Sequence, residues 1–273
     1  MRDMILAAPI GVDDAGENVA VDVATHGVIV ADLDSGFCPP SNTGAFLRQL
    51  LAGAAAAADP SELQMWIVRP GYGPTRPDLR IAGAAPITRP DERRAIELDE
   101  LERNNAIHAL PHVAHVVSGA CTNVRDRFVS LVTTEMTRRG WLLSVAQVPD
   151  VLSYNEKRRW EPALAPIPRI IVHIDNVHGL IDDRWPDDPG RRVLCKIART
   201  GRALGIHLQL AAAEFDRTTK TLAPLLNYRV LLATEHRPWW PSGEGIGWIQ
   251  QAGTGLLAIG SEVTQFRFDA PPQ

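Results

Sequence analysis

The sequence predicts an α/β protein, three layers deep, with a mainly parallel central sheet. Three observations predict it. Short apolar runs of strand length recur along the chain, at THGVIVADL (25–33), LQMWIV (63–68), HVAHVV (112–117), IPRIIVHIDNV (167–177) and GIHLQLAAA (205–213). Stretches with helical spacing of apolar residues separate several of them. The first and fourth runs are apolar almost throughout, as strands covered on both faces must be.

Gly27 and Asp32 bound the first strand, and LDSGFCPPSNTG, dense in turn residues, makes the loop that follows it. From Thr43 to Ala58 the spacing becomes helical: Phe46, Leu47, Leu50, Leu51 and Ala54 share one face, with Asn42 or Thr43 as the N-cap. Asp59-Pro60 ends that helix, and the second strand runs into Pro70-Gly71. Residues 71–90, rich in Pro, Gly and Arg, read as an exposed connection, and a charged helix is expected at 91–107 on the contacts of Ile96, Leu98 and Leu101. An amphipathic helix is expected at 123–141 from Val124, Phe128, Leu131, Val132 and Met136. A further helix at 189–203 precedes the fifth strand, and YRVLLAT (228–234) and TGLLAIG (254–260) are short strands near the end.

Composition narrows the function. The chain has 273 residues, 45% hydrophobic and 22% charged, which excludes a disordered or fibrous class. With 28 basic and 32 acidic residues its net charge is −4, so no global basic field exists to hold nucleic acid, and a local patch would have to do so. Cys38, Cys121 and Cys195 form no CxxC and no disulfide framework, in keeping with a reducing cytoplasm. The opening MRDMILAAPIGVDD has an apolar run too short for a signal peptide. No stretch approaches the roughly 20 apolar residues of a spanning helix, so no direct membrane insertion is expected. Only three of the basic residues are lysines, Lys157, Lys196 and Lys220, and the first 156 residues contain none.

That last count bears on the loop after the first strand. A strand, a glycine-bearing loop and a helix make the usual phosphate cradle of α/β proteins, because the helix N-terminus offers free N–H groups and a partial positive charge. A dinucleotide fingerprint needs GxGxxG, and Ala31-Asp32-Leu33-Asp34-Ser35-Gly36 has one glycine. A P-loop needs GxxxxGK[ST], whose lysine neutralises the β- and γ-phosphates. The loop has no lysine and carries Asp32 and Asp34, which repel a triphosphate. A phosphate site and a plain connection both remain open there.

Several segments together resemble one family. The opening PIGVDDAGENVAVDVATHGVIVAD looks like the entrance to the motor domains of the FtsK/SpoIIIE type, P-loop proteins that pump DNA, whose relatives include the EccC ATPases of type VII secretion. LPHVAHVV (110–117), EMTRRGWLL (135–143) with DVLSYNEKRR (150–159), PRIIVHIDNVHGLI (168–181) and IARTGRALGIHLQLA (197–211) follow in the family's order. The resemblance implies a RecA-like P-loop NTPase core, as a single domain over 1–273 with its core at about 9–260. It also implies that Asp175 is the Walker B aspartate, at a strand end close to the N-terminus of the 43–58 helix.

The departures from the family fall on its chemistry. The lysine position of the family's GxTGSGKS falls on Thr43 or Phe37, and the serine position on Gly44 or Cys38, depending on the anchor used. The glutamate that would follow Asp175 is Asn176, whose amide cannot accept a proton from water. The sensor segment after GIHLQL reads Ala212-Ala213-Glu214-Phe215, and the second strand ends in Arg69-Pro70-Gly71 where the family has a DPK-like end. Each loss removes on the order of a hundredfold in rate or more. The resemblance therefore implies a non-hydrolysing member with no required cofactor. It also implies a degenerate nucleotide site at Thr43, Gly44, Ala45, Asp175 and Asn176, with at most weak binding of ATP and magnesium. The alternative is an active, ATP-driven DNA or protein translocase completed by a partner subunit.

Other candidates concern partners. RRVLCKIARTGR (191–202) holds five basic residues and no acid, with Arg192, Lys196 and Arg199 on one helical face, either a phosphate or partner contact or a solvated face. Trp239 and Trp240, between Pro238 and Pro241, make either a binding tip or a packed loop. The family implies a homo-oligomer or a complex with an active FtsK/EccC-type ATPase, with DNA reached through the basic patch, in the cytoplasm and at the membrane through a partner. His108, His112 and His115 lie within eight residues, but Pro111 interrupts them and an ordinary loop and strand is expected. His173 is expected as a satisfied core histidine. No GxSxG surrounds Ser35, Ser118 or Ser130, so no hydrolase triad is expected.

Overall fold

The computed structural model describes residues 7–23, 27–32, 42–70, 106–119, 121–182, 185, 187–212, 221–232 and 254–268. The strands are β1 (Ala7–Val12), β2 (Asn18–Asp22), β3 (Val28–Asp32), β4 (Leu63–Pro70), β5 (Val113–Gly119), β6 (Arg169–Ile174), β7 (Ile206–Ala212), β8 (Tyr228–Leu232), β9 (Thr254–Ile259) and β10 (Glu262–Arg267). The longer helices are α1 (Asn42–Ala57), α2 (Cys121–Ala146), α3 (Val151–Arg158) and α4 (Pro189–Leu204).

All ten strands lie in one sheet, in the order β2-β1-β10-β9-β8-β3-β7-β6-β4-β5. From β8 to β5 every pairing is parallel. From β8 to β2 every pairing is antiparallel. The five strands expected to share a sheet are all in the parallel part. The antiparallel wing adds three strands that the sequence reading did not anticipate, β1, β2 and β10. Local chemistry makes its turns: the Asp13 carboxylate accepts from the N–H groups of Ala15 and Glu17 at 2.9 and 2.8 Å, closing the β1–β2 hairpin. Gly260, at φ +62°, turns β9 into β10.

Helices cover both faces. Phe46, Leu47, Leu50, Leu51 and Ala54 of α1 are buried against Val28 and Val30 of β3, Ile171 of β6 and the β1–β10 wing. Val124, Phe128, Val132 and Met136 of α2, with Leu194 and Ile197 of α4, are buried on the opposite face against Ile170, Val172 and Ile174 of β6 and Leu208 and Leu210 of β7. Odd and even residues of β6 thus serve different layers, and both layers are apolar, which accounts for its near-continuous apolar run.

The helices differ from expectation in informative ways. α2 runs on to Ala146 because Arg139, Leu143 and Ala146 continue its buried register. Arg139 is a charge in an apolar stripe, and it hides the continuation. α3 was not anticipated; Asp150 caps it, accepting from the Ser153 N–H at 2.8 Å. α4 starts at Pro189 under an Asp188 cap and ends at Gly205, which is left-handed at φ +65°. The helix expected at 91–107 lies almost wholly outside the described residues.

Candidate functional site

The parallel strands end together on one edge, and β6 delivers Asp175 there, directly after Ile174. The Asp175 N–H donates to the Val68 carbonyl at 3.1 Å, which continues the β4–β6 ladder by one step. Val68 pairs with Ile174 in that ladder, so the next residue of β4, Arg69, lies opposite Asp175. The side chains meet: Arg69 Nε donates to Asp175 Oδ2 at 2.5 Å. The second carboxylate oxygen, Oδ1, accepts from His173 Nε2 at 2.5 Å.

His173 is buried two residues upstream and points to the α1 side of the sheet. Its Nδ1 lies 3.2 Å from Gln209 Oε1 on the neighbouring β7, and Gln209 Nε2 donates to the Leu47 carbonyl of α1 at 3.5 Å. A polar line therefore runs Arg69–Asp175–His173–Gln209–Leu47 through an otherwise apolar layer. Burial pushes the Asp175 carboxyl up, but the His173 and Arg69 charges and their hydrogen bonds outweigh it and hold the group below its ordinary value. His108 stands at the margin of the same cluster. Burial, then the Arg69 charge, lowers its pKa, while the Asp175 charge opposes the shift.

Asn176 has a different task. Its Oδ1 accepts from the His178 N–H at 3.1 Å and caps the short 3-10 turn at Val177–Gly179. Thr43, Gly44 and Ala45 form the first turn of α1, where backbone N–H groups have no acceptor within the helix. Asp175 connects to that helix through Leu47, one turn further on. Arg192, Lys196 and Arg199 share the exposed face of α4, on the side of the sheet away from α1, so they do not join the Asp175 cluster. Trp239 and Trp240 lie outside the described residues, as do Asp34 and the segment 213–220.

Arg69, His173 and Gln209 are the members of the cluster that sequence reasoning did not assign to it. His173 is buried and bonded, as expected of a core histidine, yet one of its partners is Asp175 itself. The clue was parity, since residues 173 and 175 of one strand share a face. His112 and His115 turn to separate partners: His112 Nε2 donates to the Ala58 carbonyl at 2.8 Å, and the His115 ring meets Trp66 edge-on at 5.1 Å. Among the described residues no group of three His, Cys, Asp or Glu is placed to hold a metal ion. No described helix is long and apolar enough to cross a membrane.

No model of a known protein family matches the chain. Over 96% of its length it is 27% identical to the ESX-4 secretion system protein EccC4 of Mycobacterium tuberculosis, of which it spans 20%. It is also 27% identical, over 54% of its length, to the ESX-5 protein EccC5 of the same species, of which that match spans 11%. The chain thus corresponds to about one fifth or less of these relatives. Among solved structures, the cytoplasmic domain of the EccC ATPase of Thermomonospora curvata matches 98% of the chain and 29% of its own, with a TM-score of 0.69 and 20% identity. EssC (ATPases 2 and 3) of Geobacillus thermodenitrificans matches 99% of the chain and 46% of its own, with a TM-score of 0.66 and 18% identity. The conjugation coupling protein TcpA of pCW3, solved with ATPγS, matches 98% of the chain at a TM-score of 0.60 and 16% identity. The strand order and these likenesses agree: the chain has a RecA-like P-loop ATPase fold, and its sequence is similar to part of the EccC proteins of type VII secretion.

Proposed function

We propose that this chain is a non-hydrolysing member of its family, a structural or substrate-recognition module of a translocation assembly. One observation carries the reading. The residue after Asp175, which holds the Walker B position by resemblance, is Asn176, and its side-chain oxygen is committed to capping the turn at Val177–Gly179. A hydrolysing site needs a base there to orient and deprotonate water, and a capping amide has neither the basicity nor the freedom. The absence of lysine from the first 156 residues supports the same reading, because phosphoryl transfer depends on charge stabilisation at the transferred group. Thr43, Gly44 and Ala45 then offer only backbone N–H groups, enough for weak nucleotide binding and not for turnover.

The secretion-system names of the relatives favour protein over DNA as the cargo of the assembly. The partners are further copies or an active FtsK/EccC-type ATPase, met on the cytoplasmic side of a membrane. The domain works as one unit, with its core at about 9–260. The retained Asp175 supports the second reading, a translocase completed by a partner subunit.

Phosphate release from ATP by the purified chain decides between them. With or without duplex DNA, turnover is expected to equal that of the Asp175→Ala variant. Asp175-dependent release well above background would overturn the non-hydrolysing reading.

A further inference from the structure

The RecA-like fold implies a magnesium-nucleotide beside the carboxylate that ends β6, and the residues present do not fit one. Both oxygens of Asp175 are occupied from within the chain, Oδ2 by Arg69 Nε and Oδ1 by His173 Nε2. We propose that Arg69 and His173 stand in for the divalent cation, so that the Asp175 carboxylate is closed to metal by the fold itself. The inference deepens the non-hydrolysing reading and rests on it, since it names what holds the site out of use.

Each half of the closure has a structural cause. The β4–β6 register sets Arg69 opposite Asp175, and slipping either strand by one residue would turn all of its side chains to the opposite face. His173 is aimed by Gln209, whose amide nitrogen faces the Leu47 carbonyl and whose oxygen therefore faces the ring. The ring is thereby held with Nε2 on the Asp175 carboxylate and Nδ1 on Gln209. The Arg69 guanidinium brings a full positive charge to one carboxylate oxygen and the His173 ring an N–H to the other, so both oxygens a cation would use already have partners. Arg69 and Asp175 retain 28% and 32% side-chain exposure, so a cation could reach the carboxylate if either donor left. To enter, it would have to break a charge-assisted hydrogen bond and leave a half-buried cation without its partner.

Mn2+ alone, titrated into the full chain without nucleotide and followed by electron paramagnetic resonance, tests this. The parent is expected to show no binding that Asp175→Asn removes. Arg69→Gln, which keeps the size and loses the charge, is expected to gain Mn2+ binding by at least about tenfold, the scale on which one neighbouring charge acts on a carboxylate. Adding Asp175→Asn should abolish the gain, and Arg69→Lys should stay closed. His173→Gln carries the same expectation from the other oxygen and serves if Arg69→Gln fails to fold. The inference is overturned if the parent already binds Mn2+ through Asp175, or if a folded Arg69→Gln or His173→Gln gains nothing. Phosphate release by the parent is a separate readout: turnover there overturns the non-hydrolysing reading, whereas a silent Mn2+ titration in the variants overturns only the cation stand-in.

Discussion

Arg139, fully buried on α2, donates from Nη2 to the Pro168 carbonyl at 2.7 Å, tying that helix to the segment that enters β6. The rest of its guanidinium is equally engaged. Nη1 reaches the carbonyls of Leu204 and Gly205 at 2.7 and 3.3 Å, and Nε donates to Glu135 at 2.7 Å. One side chain therefore joins α2, the end of α4 and the approach to the strand of Asp175. Burial pushes its pKa down, while the Glu135 hydrogen bond and charge hold the charged form.

Replacing it should be costly. Arg139→Leu leaves the Glu135 charge without its buried partner and two or three carbonyls unbonded, a loss of about 3–5 kcal/mol by analogy with broken buried pairs. Arg139→Lys should recover only part of this, because an ammonium cannot span acceptors on three segments. Urea denaturation measures both; a loss below about 1 kcal/mol for the leucine variant would show that the guanidinium is dispensable.

Glu135 gives the matching pH dependence. Burial pushes its carboxyl up, but hydrogen bonds from Arg138 and Arg139 and their charges prevail, and its pKa lies below the ordinary value. A carboxylate lowered on folding adds stability that is complete above its unfolded pKa, near 4.3 for glutamate, and is lost as pH falls through the folded value. The stability gap between the parent and Glu135→Gln should therefore be constant from pH 5 to 7 and shrink only as pH drops below about 4. A gap that is unchanged down to pH 2.5 would remove the carboxylate from the account.

Gly190, in the first turn of α4, has no room for a side chain. A β-carbon there would lie 2.2 Å from the Leu180 carbonyl oxygen, which is backbone and cannot step aside. Gly190→Ala should destabilise by about 1–3 kcal/mol despite alanine's better helix propensity. Gly140 on α2 is the internal control, since nothing lies within 4 Å of its β-carbon position, and Gly140→Ala should stabilise. Equal effects at the two positions would refute the packing argument.

The face of Arg192, Lys196 and Arg199 is exposed, and these three make no ion pair among the described residues. If it meets an acidic partner, the double variant Arg192→Glu with Arg199→Glu should slow association with that partner and flatten its salt dependence, leaving dissociation nearly unchanged. Stopped-flow association at two ionic strengths reads this directly. An unaltered association rate would assign the face to solvent.

The sequence by itself determined what periodicity and end chemistry encode. The burial of both faces shows in the runs of β3 and β6, the α1 stripe shows in Phe46, Leu47 and Leu50, and the α4 boundaries show in Pro189 and Gly205. The non-basic amide of Asn176 directly after Asp175 was legible there too, since a side chain's basicity needs no fold to be known. What only the tertiary structure decided depends on register and crossover. Arg69 and Asp175 are 106 residues apart, and nothing local says that β4 and β6 pair with Val68 against Ile174. The same holds for Arg139, whose carbonyl partners at Pro168 and Leu204 lie 29 and 65 residues away, and for β1, β2 and β10, which gather at one edge by non-local pairing. A residue's own neighbours along the chain fix which face it buries. Which group it meets there is set by how distant segments align, and that alignment is a property of the whole packed sheet.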